Sequence, residues 1–155
     1  MKVAIIGAGN VGKALATSLT RAGHDVTLAA HSPETARAAA REIGADSADS
    51  AASAVKGAKV VILAVPYAAG AQVAGEIADG TVGRTVIDVT NPLKPDYSGL
   101  ATDTSAAEEL QRRLPDAHVV KAFNTVFASN QADPTAGGAT IDGYVAGDDA
   151  NAKRQ

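Results

Sequence analysis

Gly7, Gly9 and Gly12 stand in the stretch Gly7-Ala8-Gly9-Asn10-Val11-Gly12, the spacing G-x-G-x-x-G. That spacing does chemistry only where a strand turns into a helix. The first glycine then permits the tight turn, the second lets backbone approach a pyrophosphate, and the third lets the helix pack on the strand. The pyrophosphate rests on the helix N-terminus, where free N–H groups and the helix dipole favour an anion. Ala8, Asn10 and Val11 complete the loop and are cofactor-binding candidates with the glycines. The same residues nearly spell a P-loop, with Gly7, four residues, Gly12 and Lys13, and Val86-Ile87-Asp88 imitates the acidic strand of an NTPase. A P-loop needs Ser or Thr after the lysine to hold magnesium, and Ala14 stands there. A P-loop-like NTPase is therefore the remote alternative, and Lys13 reads as a solvated lysine on a first helical turn.

A dinucleotide site for NAD carries an Asp or Glu after its second strand, to accept the ribose 2′-hydroxyl; a site for NADP replaces that acid with cationic or hydroxyl donors. Here the strand runs into Leu28-Ala29-Ala30-His31-Ser32-Pro33, with no acid. Ser32 before Pro33 reads as a helix N-cap with proline at the first helical position. A second helix N-terminus then lies beside the 2′-position, and Arg37 follows just over one turn later. His31, Ser32 and Arg37 are the candidates for a 2′-phosphate, and NADP is the expected cofactor. Glu34 lies nearby and either weakens that preference for NADP or only complements the helix dipole.

No other constellation carries chemistry. Four residues after Tyr67, Tyr97 and Tyr144 stand Ala71, Ala101 and Asp148, so the Tyr-x-x-x-Lys pair of short-chain dehydrogenases is missing. His24 falls at a helix–strand turn and reads as structural; His118 begins a strand and reads as exposed. No Ser–His–Asp set or metal cluster has recognisable spacing. The chain has no cysteine, which excludes disulfides and thiol chemistry and fits a reducing cytoplasm. No catalytic side chain and no metal is expected. That absence fits hydride exchange between two carriers, where protein supplies orientation and excludes water. Alcohol oxidation would need a proton acceptor.

The elements that would position these residues alternate. Apolar runs at residues 2–6, 59–65 and 84–89 read as buried parallel strands. Further strands are expected at 25–30, 118–122 and 141–146. Helices are expected at 10–22, 33–43, 47–55, 68–78 and 106–114, the last behind a Ser105/Glu108 capping box. Residues 91–104, with two prolines, a glycine and a tyrosine, read as a long loop at the carboxyl edge of the sheet. The fold class is α/β, a Rossmann doubly wound parallel sheet covered on both faces, in one domain over residues 1–155. With 155 residues and 46% hydrophobic content the chain can bury one sizeable core. Net charge is −3, with no basic stripe for nucleic acid or membrane. Lys2, the apolar run and Ala14-Leu15-Ala16 imitate a signal peptide, but the glycines interrupt the run at motif spacing.

Together, Ile5-Ile6-Gly7-Ala8-Gly9-Asn10-Val11-Gly12, Ala22-Gly23-His24, Leu63-Ala64-Val65-Pro66-Tyr67, Asp88-Val89-Thr90-Asn91-Pro92-Leu93, Val120-Lys121-Ala122-Phe123-Asn124-Thr125 and Val145-Ala146-Gly147-Asp148-Asp149 resemble the NADPH-dependent F420 reductase family. The cytosolic reductase domains of STEAP-type metalloreductases are similar. The resemblance spans nearly the whole chain. It implies hydride transfer between NADPH and the deazaflavin coenzyme F420, or a flavin-type acceptor, in the cytoplasm. It places the pyrophosphate on Gly7 to Gly12 and the 2′-phosphate at His31, Ser32 and Arg37, although the family pattern there includes Ser-Arg and this chain has His-Ser. Val65 and Pro66 would lie along the cofactor, with Thr90, Asn91, Ala122 and Asn124 bordering the nicotinamide and the second substrate. The partner is then a small-molecule acceptor, and a homodimer stays open. Family members continue beyond the Gly-Asp-Asp segment with a portion that helps form the second-substrate site and the dimer, and this sequence stops at Gln155. A dinucleotide-binding module or redox sensor without turnover is the alternative from another class.

Overall fold

The computed structural model describes residues 1–135, 138 and 140–155. Strand and helix alternate from the start: β1 (Lys2–Ile6), α1 (Asn10–Arg21), β2 (Asp25–Ala29), α2 (Pro33–Ile43), β3 (Asp46–Ser47), α3 (Ala51–Ala54), β4 (Val60–Leu63), α4 (Tyr67–Ile77), β5 (Thr85–Asp88), α5 (Ala106–Arg113), β6 (His118–Ala122), α6 (Ala128–Ala132) and β7 (Val145–Ala146). The strands form one sheet in the order β3-β2-β1-β4-β5-β6-β7, parallel except for the β6–β7 edge pair. Strand order reverses between β1 and β4. The crevice beyond the carboxyl ends of those two strands is where an open α/β sheet takes its ligand.

After the exposed Lys2, the central strands β1 and β4 are apolar throughout because both faces are covered. On β1, Val3 and Ile5 pack with Leu15 and Ala16 of α1 and Ala39 and Ala40 of α2. Ala4 and Ile6 face the other way, toward Ala51 and Ala54 of α3, Ala74 and Ile77 of α4, and Leu110 of α5. The alternation continues across β4, with Val60 and Ile62 on the first face and Val61 and Leu63 on the second. A one-residue slip of β1 against β4, paired as Val3↔Val60 and Ile5↔Ile62, would exchange the two layers.

The doubly wound, single-domain α/β fold is the one expected from the alternation of elements. The differences lie in short or polar segments. The helix expected over 47–55 is only Ala51–Ala54, capped by Ser50, whose Oγ accepts the Ser53 N–H at 3.1 Å. It is preceded by the two-residue strand β3, which pairs with Thr27 and Leu28. The strand expected over 141–146 is confined to Val145–Ala146, which closes the sheet antiparallel. Residues 91–104 are more ordered than a loop: Leu93 bridges Leu100, Lys94 N–H donates to Gly99 O at 2.9 Å and Ala101 N–H to Pro92 O at 2.7 Å. They form a small hairpin. The capping box is half made: Ser105 Oγ accepts the Glu108 N–H at 3.4 Å, while the Glu108 carboxylate lies 3.8 Å from Arg112.

Candidate functional site

The chain leaves β1 at Gly7, whose N–H donates to Ala29 O of β2 at 2.8 Å. Gly7 has φ +118°, a region that L side chains rarely adopt, and a Cβ there would lie 2.3 Å from Ala64 O beyond β4. A Cβ on Gly12 would lie 1.9 Å from Gly7 O, so α1 packs on the turn only because Gly12 has none. Gly9 differs from both: a Cβ there meets nothing within 4 Å. Gly9 caps α1 without a side-chain hydrogen bond, and no acid stands in the first turn. The leading N–H groups of α1 therefore face outward with the positive end of the helix dipole. A groove of about 590 Å³ runs past Gly7, Ala8 and Gly9 on one side and Val65 and Pro66 on the other.

The carboxyl end of β2 meets this groove at Ala30 and His31. Ser32 caps α2, its Oγ accepting the Thr35 N–H at 3.2 Å, with Pro33 in the first turn. Thr35 lines the groove, while the hydroxyl of Ser32 lies 2.9 Å from that of Thr35. Thr35 was not singled out in the sequence; its position three residues after an N-cap is the signal that could have found it. Arg37 does not itself line the groove; it stands one hydrogen bond behind the lining residue Asp49, with its side chain 45% exposed. Its guanidinium is held by Glu34 Oε1 at 3.1 Å and Asp49 Oδ1 at 2.9 Å. Asp49 and Ser50 line the groove from the β3–α3 connection, Ala51 from the start of α3, and Gln72 and Glu76 from α4. None of these five was legible, because only the fold brings their elements beside the glycine loop.

Thr90, Asn91, Ala122 and Asn124 do not line this groove but follow or end the neighbouring strands β5 and β6, and Thr90 is buried. Its N–H donates to Asp88 Oδ1 at 2.8 Å, and its carbonyl accepts from Lys121 Nζ. Lys121 Nζ also pairs with Asp88 Oδ2 at 2.9 Å. Asn91 Nδ2 donates to Asn124 O at 3.1 Å, and Asn124 Nδ2 to Asn91 Oδ1 at 3.3 Å, which ties the ends of β5 and β6. Phe123 between them has φ +63°. Ala122 faces away, packed with Val120 and Ala152. Val65, which lines the groove, and Thr90 border a second recess of about 150 Å³, between α4 and α5. There Tyr67 donates its hydroxyl to Glu109 Oε2 at 2.6 Å, and Thr102 donates to the other carboxylate oxygen. Hydrogen bonds from Thr102 and Tyr67 hold the Glu109 carboxyl below its usual range, and Glu109 in turn raises the Tyr67 hydroxyl.

This arrangement does not suit an NTPase. Lys13 pairs on the surface with Glu42 at 2.5 Å, Ala14 is buried, and Asp88 is occupied by Lys121 and the Thr90 N–H. A family model described as NADP oxidoreductase, coenzyme F420-dependent, matches residues 2–92. The chain belongs to that family. F420-dependent NADP oxidoreductases are enzymes that carry out NADP-dependent oxidoreduction, and the chain is an oxidoreductase of that kind. It is 33% identical over 156 residues to the F420-dependent NADP reductase of Methanothermobacter marburgensis, covering 87% of this chain and 68% of that one. It is 31% identical over 153 residues to metalloreductase STEAP3 of Rattus norvegicus, covering 98% of this chain but 30% of that one. Among solved structures, a protein of Arthrobacter sp. fb24 provisionally named an F420-dependent NADP-reductase superposes with a TM-score of 0.88 at 30% identity, over 99% of this chain and 77% of that one. A 3-hydroxyisobutyrate dehydrogenase of Mycobacterium tuberculosis, at 20% identity and TM-score 0.76, shares the fold. Among the described residues no helix is long and apolar enough to cross a membrane, and no group of acidic or histidine side chains could hold a metal ion.

Proposed function

We propose that this member of the F420-dependent NADP oxidoreductases passes hydride between NADPH and the deazaflavin F420, with the cofactor laid along the groove between the glycine loop and the end of β4 and reaching on toward the ends of β5 and β6. The observation that carries the proposal is the open space at Gly9 beside the uncapped N-terminus of α1. A pyrophosphate fits there, since the backbone donors are already aimed outward and no acid opposes it. Gly7 to Gly12 would hold the pyrophosphate, and His31, Ser32 and Thr35 the adenosine end. Val65 and Pro66 would lie along the cofactor, with Thr90, Asn91 and Asn124 near the nicotinamide. Ala122 would act from behind, by packing the end of β6.

The nicotinamide and the acceptor supply the redox chemistry; the protein orients them and keeps water out. The buried Asp88–Lys121 pair fixes the Thr90 backbone, and the Asn91–Asn124 pair fixes the next turn, so the rim over the nicotinamide is rigid. Hydride from NADPH adds to the deazaflavin ring and the accompanying proton comes from solvent, so no side chain has to carry it. F420 is the favoured acceptor because the relatives aligned over most of both chains carry it in their names. The test is to mix the protein with NADPH and F420, and separately with free flavin, and follow NADPH absorbance. Oxidation with F420 above that with flavin supports the reading. NADPH binding with no oxidation by either would overturn it in favour of a binding module.

A further inference from the structure

The acid that is missing from the tip of β2 enters the same groove from another element. Asp49 follows β3 and lines the groove with His31 and Thr35. It arrives there because β3 pairs with Thr27 and Leu28 near the end of β2. Its carboxylate holds Arg37, the one cation among the residues expected to meet a 2′-phosphate, at 2.9 Å. Glu34, one turn earlier on α2, holds the second nitrogen of the guanidinium at 3.1 Å but does not line the groove.

We propose that Asp49 is a specificity-determining residue of the cofactor groove: it competes with the 2′-phosphate of NADP for Arg37 and so narrows the preference for NADP over NAD. This rests on the reading that the groove takes the adenosine end of a dinucleotide. The competition follows from exposure and charge. Arg37 is 45% exposed and the Asp49 side chain 77%, so their pair lies in high dielectric and is weak. A phosphate monoester carries close to about two charges and gives a guanidinium shorter, stronger hydrogen bonds than a solvated carboxylate. Arg37 therefore exchanges Asp49 for phosphate when NADP enters. The exchange leaves a bare carboxylate in the groove and loses one ion pair, and both effects discount NADP. NAD brings no phosphate, so the Arg37–Asp49 pair stays intact and has little bearing on its affinity.

Calorimetry of NADP and NAD with the parent, Asp49→Asn, Arg37→Ala and the double variant tests this, with urea midpoints confirming that each is folded. Asp49→Asn should tighten NADP by about threefold to fivefold, the scale of an exposed ion pair, and leave NAD within about twofold. Arg37→Ala should weaken NADP alone. In the Arg37→Ala background the gain from Asp49→Asn should shrink, because there is no guanidinium to release. Unchanged or weaker NADP binding by Asp49→Asn, or the same gain with and without Arg37, overturns the proposal. A parent that binds neither nucleotide would instead sink the reading of the groove itself.

Discussion

A side chain at Gly9 would project into open groove, whereas one at Gly7 or Gly12 would strike backbone, so the three glycines of one motif answer to different measurements. Gly9→Val should abolish dinucleotide binding by calorimetry while the urea midpoint falls by the equivalent of only about 1 kcal/mol, the usual loss when an N-cap glycine becomes β-branched. Gly12→Ala should behave in the opposite sense. Its Cβ lies 1.9 Å from Gly7 O, so α1 must shift, and overpacking of this kind costs about 1–3 kcal/mol. Equal loss of stability in both variants would contradict the assignment of Gly9 to the ligand. Lys121 offers a third residue-scale test. Its partner Asp88 is 2% exposed, and Lys121→Ala leaves that carboxylate with the Thr90 N–H alone. Removing one partner of a buried pair costs roughly 3–5 kcal/mol. Adding Asp88→Asn should recover much of it in urea unfolding; no recovery would mean that Lys121 acts by packing rather than charge.

Between elements, Tyr67 at the start of α4, Glu109 on α5 and Thr102 after the hairpin form a latch beside the second recess. Its pH dependence has two limbs. The Glu109 carboxyl is lowered by its hydrogen bonds, so its contribution is complete above the usual glutamate range and is lost as pH falls through the lowered value. The Tyr67 hydroxyl is raised, so its contribution is complete below the usual tyrosine range and is lost as pH rises through the raised value. Thermal unfolding of the parent should weaken at high pH relative to Tyr67→Phe, which lacks the hydroxyl, and less so at low pH, where Thr102 still holds Glu109 in the variant; identical profiles at high pH would show that the Tyr67–Glu109 bond adds nothing. The latch was not legible in the sequence. Glu109 lies 42 residues from Tyr67, and nothing local joins them. The same reason hid β3, whose two exposed residues have no period and exist as a strand only through their pairing with β2. By contrast the apolar runs of β1 and β4, and the Ser32-Pro33 start of α2 with Gly44 at its end, carry their cause in adjacent residues and were read to within two residues or fewer. The glycine loop belongs with them. Asp49 belongs with β3: only the β2–β3 pairing brings its carboxylate to the groove beside His31 and Thr35.

Across the whole molecule, the strand reversal between β1 and β4 gathers loops separated by more than a hundred residues along one sheet edge. Asn91 and Asn124, from two separate motifs of the sequence, meet only because β5 and β6 are neighbours. The hairpin over 91–104 rises from this edge with Leu93, Tyr97 and Leu100 exposed at 42%, 80% and 60%. Its backbone is held by the hydrogen bonds joining Lys94 to Gly99 and Ala101 to Pro92, and its base by the Asn91–Asn124 pair. Its tip is exposed, so its amides should exchange quickly in the free protein. If the acceptor lies over the nicotinamide, the tip gains an apolar partner only when both ligands are present. Hydrogen exchange should then slow at the glycine loop on adding NADP alone, and at the hairpin only on adding NADP together with oxidised F420, a pair between which no hydride passes. Thermal unfolding supplies the parallel measure, since a ligand at a hundred times its dissociation constant adds about 2.7 kcal/mol to stability. Slowing at the hairpin with NADP alone would make the hairpin part of the cofactor site. Unchanged hairpin exchange with both ligands present would place the acceptor elsewhere and remove the hairpin from the site.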